Sequence, residues 1–574
     1  MKNREVARLF RMIALYLEMK GVGFKPQAYI RAADSIEMLS GDIEDFVKEK
    51  GLVGLETLPG IGQSIANKII EFLRTGKIRE LEKLKKEIPV EVDQLSQIEG
   101  LGPKTIFKLY KKLGVRTVAD LARLIKKGEL RNLKGFGLKS EEKIAEALNF
   151  YQKQIGRLNL DQIQPIANEL IQYLKSKKEI KAVEIAGSYR RRQETIGDLD
   201  ILVVSKNPGQ TETDLVKFPQ VGHIYAQGPA KTMVRLKTGV DVDLRSFKRE
   251  SFGAALLYFT GSKDHNIKLR KIAIKKGLKL NEYGLFRAKK IIAGRTEAGI
   301  YRKLGLKFIP PELREDQGEI ELAQKNRLPD LVEFNSIKGD LQVQTDWTDG
   351  RNSIEAMVEA AIKNGLSYIA ITDHTQSLAM TGGADEKKLL KQMVYIDKLN
   401  RRLGAKFKIL KGAEVNILKD GRFDIKAAVL AKLDFVGAAI HSYFNLSKED
   451  QTKRIIRAMT DPNLDCIFHL TGRIINKRPP INFDFEKVLT EAKKTKTILE
   501  INAQPGRLDL NDEMIRRAVK AEVKMIIDSD AHSIFDYQYL NLGVAQARRG
   551  WAGKDDILNV LPPPQFLKKA VKNK

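Results

Sequence analysis

At 574 residues the chain expects three or four domains, with an ordinary apolar share for burying their cores. Its 101 lysines and arginines against 73 acidic residues leave a formal net charge of +28, which favours a polyanionic partner, nucleic acid or an acidic membrane surface. No apolar run approaches the ~18 residues of a membrane span, the start Met1-Lys2-Asn3-Arg4-Glu5 has no secretory core, and the lone Cys466 excludes an internal disulfide, so the expectation is a soluble, cytoplasmic protein without a membrane partner.

Residues 1–150 read as helical and carry an internal repeat. Leu58-Pro59-Gly60-Ile61-Gly62, Ile98-Glu99-Gly100-Leu101-Gly102 and Leu133-Lys134-Gly135-Phe136-Gly137 each set an apolar residue before Gly-x-Gly and a helix start after it. The glycines permit a tight hairpin, and the helix N-terminus that follows offers free N–H groups to a phosphate. The frame resembles the helix-hairpin-helix, a sequence-independent grip on the DNA backbone. That resemblance puts Gly60, Gly62, Gly100, Gly102, Lys104, Gly135 and Gly137 at the DNA. The third copy fits least well, because Glu141 and Glu142 stand where a phosphate is expected.

The stretch Gly187-Ser188-Tyr189-Arg190-Arg191-Arg192-Gln193-Glu194-Thr195-Ile196-Gly197-Asp198-Leu199-Asp200 joins a glycine turn, a hydroxyl and three arginines to an Asp-x-Asp pair. It runs into Ile201-Leu202-Val203-Val204, an apolar, β-branched run that predicts a buried strand. On a strand, Asp198 and Asp200 share one face. Carboxylates that close repel unless a cation sits between them, and oxygen ligands beside phosphates suit Mg²⁺. Gly239-Val240-Asp241-Val242-Asp243-Leu244-Arg245 alternates cleanly and offers Asp243 as a third carboxylate, enough for two metals and an in-line phosphoryl displacement.

Gly187-Ser188 through Asp198-Leu199-Asp200, with Tyr258-Phe259-Thr260-Gly261-Ser262 and Asn281-Glu282-Tyr283-Gly284, resembles family X DNA polymerases, the polymerase beta relatives. The resemblance implies that Asp198, Asp200 and Asp243 hold two Mg²⁺ or Mn²⁺ ions. It places Gly187, Ser188, Arg191 and Gly197 on the triphosphate, and Tyr258, Phe259, Gly261 and Asn266 around the incoming nucleotide. Arg245 and Arg270 fall on the DNA side. Arg192 stands where the family carries glycine; a left-handed backbone there would cost an arginine about 1–2 kcal/mol. Residues 1–85 resemble the small lyase domain, with Lys68 on the position of the amine nucleophile and Lys25 and Tyr29 near those that contact a 5′-phosphate.

From Gly339 onward strands and helices alternate. Tyr368–Ile371, Phe435–Ile440 and 523–527 are apolar runs ending in polar residues, which predicts parallel strands of a barrel-like α/β domain with chemistry at their C-terminal ends. His374, Glu414, His441, His469, Asp530 and His532 stand at such ends, and histidines with carboxylates suit Zn²⁺, Mn²⁺ or Fe²⁺. The stretches around them resemble the PHP phosphoesterase domain. With Asp349 they form the ligand set that the resemblance implies, and the domain then supplies a 3′→5′ exonuclease or 3′-end processing. One departure is serious: Gln342-Val343-Gln344 stands where the family carries His-x-His, and a glutamine offers a weak carbonyl oxygen where imidazole nitrogen is expected, so an impaired nuclease and a structural remnant both remain open.

The expected architecture is therefore multidomain α and α/β. A lyase-like domain (1–85) and a helix-hairpin-helix subdomain (86–150) precede a nucleotidyltransferase palm (151–250). A thumb-like subdomain that binds the nascent base pair (251–318), a linker (319–337) and a distorted β/α-barrel PHP domain (338–574) follow. The expected function is gap-filling DNA polymerisation in base excision repair, acting as a monomer on gapped or nicked duplex with deoxynucleoside triphosphates.

Overall fold

The computed structural model describes residues 2–570 apart from 38, 40, 41, 97, 99, 134, 155, 156, 229, 230, 379 and 380. Glu99 and Lys134 of the sequence repeats therefore lie outside the described residues. The chain divides into two compact units, residues 1–155 with 476–479, and the remainder.

The first unit is helical. Lys2–Met19, Lys25–Glu37, Ile43–Glu56, Gln63–Thr75 and Arg79–Glu87 share one apolar core with Pro103–Leu113, Val118–Lys126 and Leu138–Gln154, built on Phe10, Ile36, Ile65, Ile69, Ile106 and Leu109. Local chemistry sets the ends. Pro103 opens its helix, where a missing N–H is harmless, and Gly76 and Gly114 close theirs in the left-handed region at φ 69°. The first glycine of each repeat has positive φ: 75° at Gly60, 85° at Gly100 and 89° at Gly135. The second glycines, Gly62 and Gly102, are N-caps without a side-chain cap, so the first N–H groups of their helices stay open.

The second unit begins with a five-stranded sheet: β1 (Ile180–Ile185), β2 (Asp198–Ser205), β3 (Val221–Ala226), β4 (Thr232–Leu236) and β5 (Asp241–Phe247), in the order β1-β2-β5-β4-β3. Only the β2–β5 pair is parallel. Leu160, Ile163, Leu170 and Leu174 of the helix Leu160–Lys175 pack on Leu199, Ile201, Val203, Val242 and Leu244, one face of those two strands. Ile475, Leu508 and Leu542, from the C-terminal barrel, belong to the same cluster, so palm and barrel share a core.

Next come the helices Phe252–Thr260, Lys263–Lys275 and Glu297–Lys303, and a three-stranded meander: β6 (Lys279–Asn281), β7 (Gly284–Arg287) and β8 (Lys290–Ala293). The expected linker corrects here. Glu319–Gln324 is a helix whose Ile320 and Ala323 are buried in the thumb core, joined by Leu331. Buried Glu319 accepts from His265 Nδ1 at 2.6 Å, and His265 Nε2 meets Tyr301 Oη at 2.9 Å. The charged stretch read as connection, yet its Glu319 is buried and paired, while Glu321, Lys325 and Arg327 stay exposed.

The barrel is β9 (Gly339–Val343), β10 (Tyr368–Ile371), β11 (Lys408–Asn416), β12 (Phe435–Ala439), β13 (Cys466–Ile467), β14 (Ile498–Asn502) and β15 (Met525–Asp528), parallel and in sequence order. Val343 bridges Ala531, so the sheet nearly closes at its C-terminal end. That closure brings Gln342 and Gln344 against the segment between Asp530 and His532.

Candidate functional site

The parallel pairing of β2 with β5 sets Asp198 opposite Asp241 and Asp200 opposite Asp243. Residues in register on neighbouring strands project from the same face, so the carboxylates gather on the side away from the palm core. Burial pushes the Asp200 carboxyl up from its ordinary 3.8 to about 7, reinforced by Asp198 and Asp243. Asp241 is drawn aside into a bidentate pair with Arg235, at 2.8 Å on both oxygens. Lys231 Nζ and Arg245 Nη2 approach Asp243 Oδ2 at 3.3 and 3.1 Å, while buried Asp243 Oδ1 has no partner among the described residues. An orphaned oxygen beside a carboxyl that resists ionising fits a divalent cation.

Gly187 makes the site possible. Its φ is 61°, and a Cβ there would lie 2.2 Å from Asp200 Oδ2. Only glycine lets the turn Gly187–Arg190 approach the carboxylate. Ser188 follows, half-buried. A Cβ on Gly197 would meet Arg157 Nη1 at 3.2 Å, so this glycine serves the packing of Arg157 as well.

The three arginines are already engaged. Arg190 forms a bidentate pair with Glu297 at 2.9 and 2.7 Å. Arg191 Nε donates to Glu315 at 2.9 Å and Nη1 donates to the Thr260 carbonyl. Arg192 has φ 56°, the left-handed backbone that glycine would suit, and its guanidinium lies over the Tyr189 and Phe334 rings. Arg191 sits beside Gly261, which a Cβ would bring to 3.2 Å from Nη1. Tyr258 is exposed and stands edge-on to Phe259 at 5.1 Å, with Arg245 over the Phe259 ring at 4.8 Å. Asn266 Nδ2 donates to the Tyr258 carbonyl at 2.6 Å, and Asn266, Arg270 and Tyr258 line one small pocket.

In the helical unit, Gly62, Gly102 and Gly137 face open space, and Lys104 and Lys25 are exposed. The expectation for Glu141 corrects: it is buried and accepts from Arg131 N and Nε, both at 2.8 Å, so it is turned away from the hairpin mouth. Tyr29 also differs. It is buried, and its hydroxyl donates to Glu80 at 2.7 Å, facing a carboxylate instead of a phosphate. Lys68 Nζ lies 3.2 Å from the same Glu80 and 2.9 Å from Ser64 Oγ. No motif in the sequence flagged Glu80.

At the barrel mouth, the ligand atoms of Asp349, His374 and His532 lie close enough to share a cation, as do those of His374, Glu414 and His441. His469 Nε2 and His441 Nε2 reach Glu414 Oε1 at 3.0 and 3.1 Å. Burial would raise the Glu414 carboxyl, but His374, His441 and His469 outweigh it and hold the group well below its ordinary value. Gln342 and Gln344 correct the expectation of weak oxygen ligands. Both turn Nε2 toward Glu414 Oε2, at 3.0 and 2.8 Å. Gln342 Oε1 is taken by Asn502 at 2.9 Å. The glutamine amide hydrogens therefore occupy Glu414 Oε2, while buried Gln344 Oε1 has no partner among the described residues. Asp530, at φ 54°, faces Asn502 at 3.2 Å and Arg507 at 3.5 Å, and thus lies beside a guanidinium.

Family profiles match along the chain: a helix-hairpin-helix domain at 1–78, a SAM-like helix-hairpin-helix tandem at 92–149, the DNA polymerase beta palm at 154–232, the DNA polymerase beta thumb at 255–315 and the PHP domain at 340–504. The chain is 38% identical to the DNA polymerase/3′-5′ exonuclease PolX of Bacillus subtilis (strain 168) over 564 residues, 97% of each chain. It belongs to family X of the DNA polymerases. The proteins named DNA polymerase lambda from Arabidopsis thaliana and Rattus norvegicus are 27% and 23% identical, over 54% of this chain and 62% and 56% of theirs. The protein is thus a nucleotidyltransferase with a palm, a thumb and a PHP barrel, of a family that works with divalent metals and DNA. No helix among the described residues is long and apolar enough to cross a membrane. In this family X chain the motifs missed Arg473, Gln546 and Arg549, which join barrel to palm. Arg473 lies four residues past His469, and Gln546 and Arg549 lie on the helix Leu540–Arg549.

Proposed function

We propose that the protein fills short gaps in duplex DNA during repair, by nucleotidyl transfer at Asp198, Asp200 and Asp243. The observation that carries this reading is the in-register pairing of Asp200 with Asp243 beside Gly187. These three carboxylates would hold two divalent cations, Mg²⁺ or Mn²⁺. Such cations activate the primer 3′-hydroxyl and neutralise the charge of the triphosphate and leaving pyrophosphate.

The chain's own side chains do the positioning. Gly187, Ser188 and Gly197 line the approach of the triphosphate, and Arg191 reaches it beside Gly261. Tyr258 and Phe259 meet the sugar, while Asn266 and Arg270 face the minor groove, whose acceptors report pair geometry more than identity. Arg245 holds Asp243 and flanks the DNA. The three hairpins, with Lys104 and Lys25, grip the backbone as a monomer on gapped or nicked duplex, and affinity falls steeply with salt as counterions are released.

Two further activities have uneven support. A lyase step at Lys68 needs a neutral amine, and its Nζ lies 3.2 Å from the Glu80 carboxylate. A Mn²⁺-dependent 3′→5′ exonuclease is supported by the Asp349, His374 and His532 cluster and opposed by the glutamine amides at Glu414. Asp198→Ala tests the main reading. On a gapped duplex with labelled primer, extension is lost while DNA affinity is retained; extension at the wild-type rate would remove the carboxylate assignment.

A further inference from the structure

The loop that follows the glycine turn, residues 191–194, is held from outside the palm. Glu194 leaves the palm surface and accepts from Arg473 Nη2 at 2.6 Å, Arg473 Nη1 at 3.2 Å and Gln546 Nε2 at 2.6 Å. Arg549 Nη1 donates to the Arg191 carbonyl at 3.0 Å and reaches Glu315 at 3.3 Å, and its Nη2 is bonded to Asp512. Glu315 in turn accepts from Arg191 Nε and Gln193 Nε2. All three donors belong to the barrel. The Arg473 and Arg549 side chains are only 11% and 4% exposed.

The loop leads to both halves of the polymerase centre. Upstream lie Gly187 and Ser188; downstream, Thr195 and Ile196 lead into β2 and Asp198. A bidentate arginine–carboxylate pair fixes orientation as well as distance. Without Arg473, Glu194 would be left to Gln546 Nε2, and without Arg549 the Arg191 carbonyl would lose its donor, so the loop would be free to shift under the triphosphate site. The anchor is itself braced: buried Asp509 accepts from Thr471 N and Oγ1 at 2.9 and 2.8 Å, two residues from Arg473.

We propose that Arg473, Gln546 and Arg549 of the PHP barrel are positioning residues for nucleotidyl transfer, holding loop 191–194 in the geometry that accepts the nucleotide. The proposal rests on the carboxylate centre being the nucleotidyl centre. It gives the barrel a task that survives the glutamine substitutions at Glu414, because none of these contacts uses that centre.

The test is single-nucleotide incorporation into a gapped duplex by the full chain, reading KM for the nucleotide, kcat, DNA affinity and Tm. Glu194→Gln removes the charge from the palm side and leaves the barrel intact. It raises KM on the order of tenfold, with kcat and DNA affinity close to wild type. Arg473→Ala gives the same rise, Arg473→Lys recovers part of it, and the Glu194→Gln/Arg473→Ala double variant is no worse than either single. Lys493→Ala, at an exposed barrel ion pair, leaves KM unchanged. If Arg473→Ala does not fold, Glu194→Gln and Gln546→Ala carry the test. Wild-type KM in a folded Glu194→Gln, or multiplying losses in the double variant, overturns the proposal. Asp198→Ala, run alongside, separates the two failures: if it still incorporates, the centre is misassigned; if it is dead while Glu194→Gln is normal, only the positioning role falls.

Discussion

Asp200 and Glu414 are both carboxylates on parallel strands with other charged groups close by, and they are in opposite states. Asp200 has like charges for neighbours and is raised to about 7, chiefly by burial. Glu414 is more deeply buried, yet imidazoles and two glutamine amides surround it and keep it ionised. Asp243 Oδ1, beside Asp200, has no partner among the described residues, whereas Glu414 Oε2 is met by two glutamine amides and its Oε1 by two imidazoles. A carboxylate cluster therefore reads as a metal site by what its oxygens lack, more than by its composition.

Filling the open centre should break the contrast most sharply. Gly187→Ala puts a methyl group into Asp200 Oδ2, 2.2 Å away without relaxation. We expect incorporation to fall about 100-fold with DNA affinity unchanged, measured on a gapped duplex; near-normal turnover would show that the close approach is not needed.

Emptying the filled centre is the converse. Gln342→His/Gln344→His replaces two donors with imidazoles able to bind a cation. Bound Mn²⁺ per chain should rise, with affinity up about 10–100-fold, and primer shortening should appear or accelerate in an Asp198→Ala background. Equal metal content in both proteins would mean that the glutamines never blocked the position.

The smallest effect is on stability, read in chelator by denaturant titration. The Asp200 carboxyl is raised on folding, so the unfolded chain ionises first and stability declines as pH rises from about 4 to 7. Asp200→Asn should therefore stabilise the metal-free protein by about 1–3 kcal/mol at pH 8, and by little at pH 4. Glu414 is lowered on folding, so its contribution is present above its ordinary 4.5 and is lost as pH falls through the folded value. Glu414→Gln should destabilise at pH 8, by about 3 kcal/mol. The same sign for both substitutions would erase the distinction.

Much of this was legible in the residues. Alternation in Gly239–Arg245 set Asp241, Asp243 and Arg245 on the polar face, as the strand's burial bears out. The Gly-x-Gly repeats announced their turns, and each first glycine has the positive φ a hairpin requires. Arg192 departs from glycine at a position whose φ is indeed left-handed. These features are local: a period, a turn or a spacing is decided within a few residues.

What the sequence could not show is which way a polar group is satisfied. The glutamines at 342 and 344 read as weak oxygen ligands until Glu414 and Asn502, 70 or more residues away in sequence, turned their amides round. The stretch after residue 318 read as linker until His265 accounted for Glu319. Nothing in the sequence joined Arg473 and Arg549 to the palm, where Glu194 and the Arg191 carbonyl meet them. The sequence determined the parts and put forward the three carboxylates, because period and spacing act locally, and its resemblance to family X implied the reaction class. Tertiary structure alone decided which charges are open and which are matched, because a hydrogen bond forms between groups that only the folded chain brings within 3 Å.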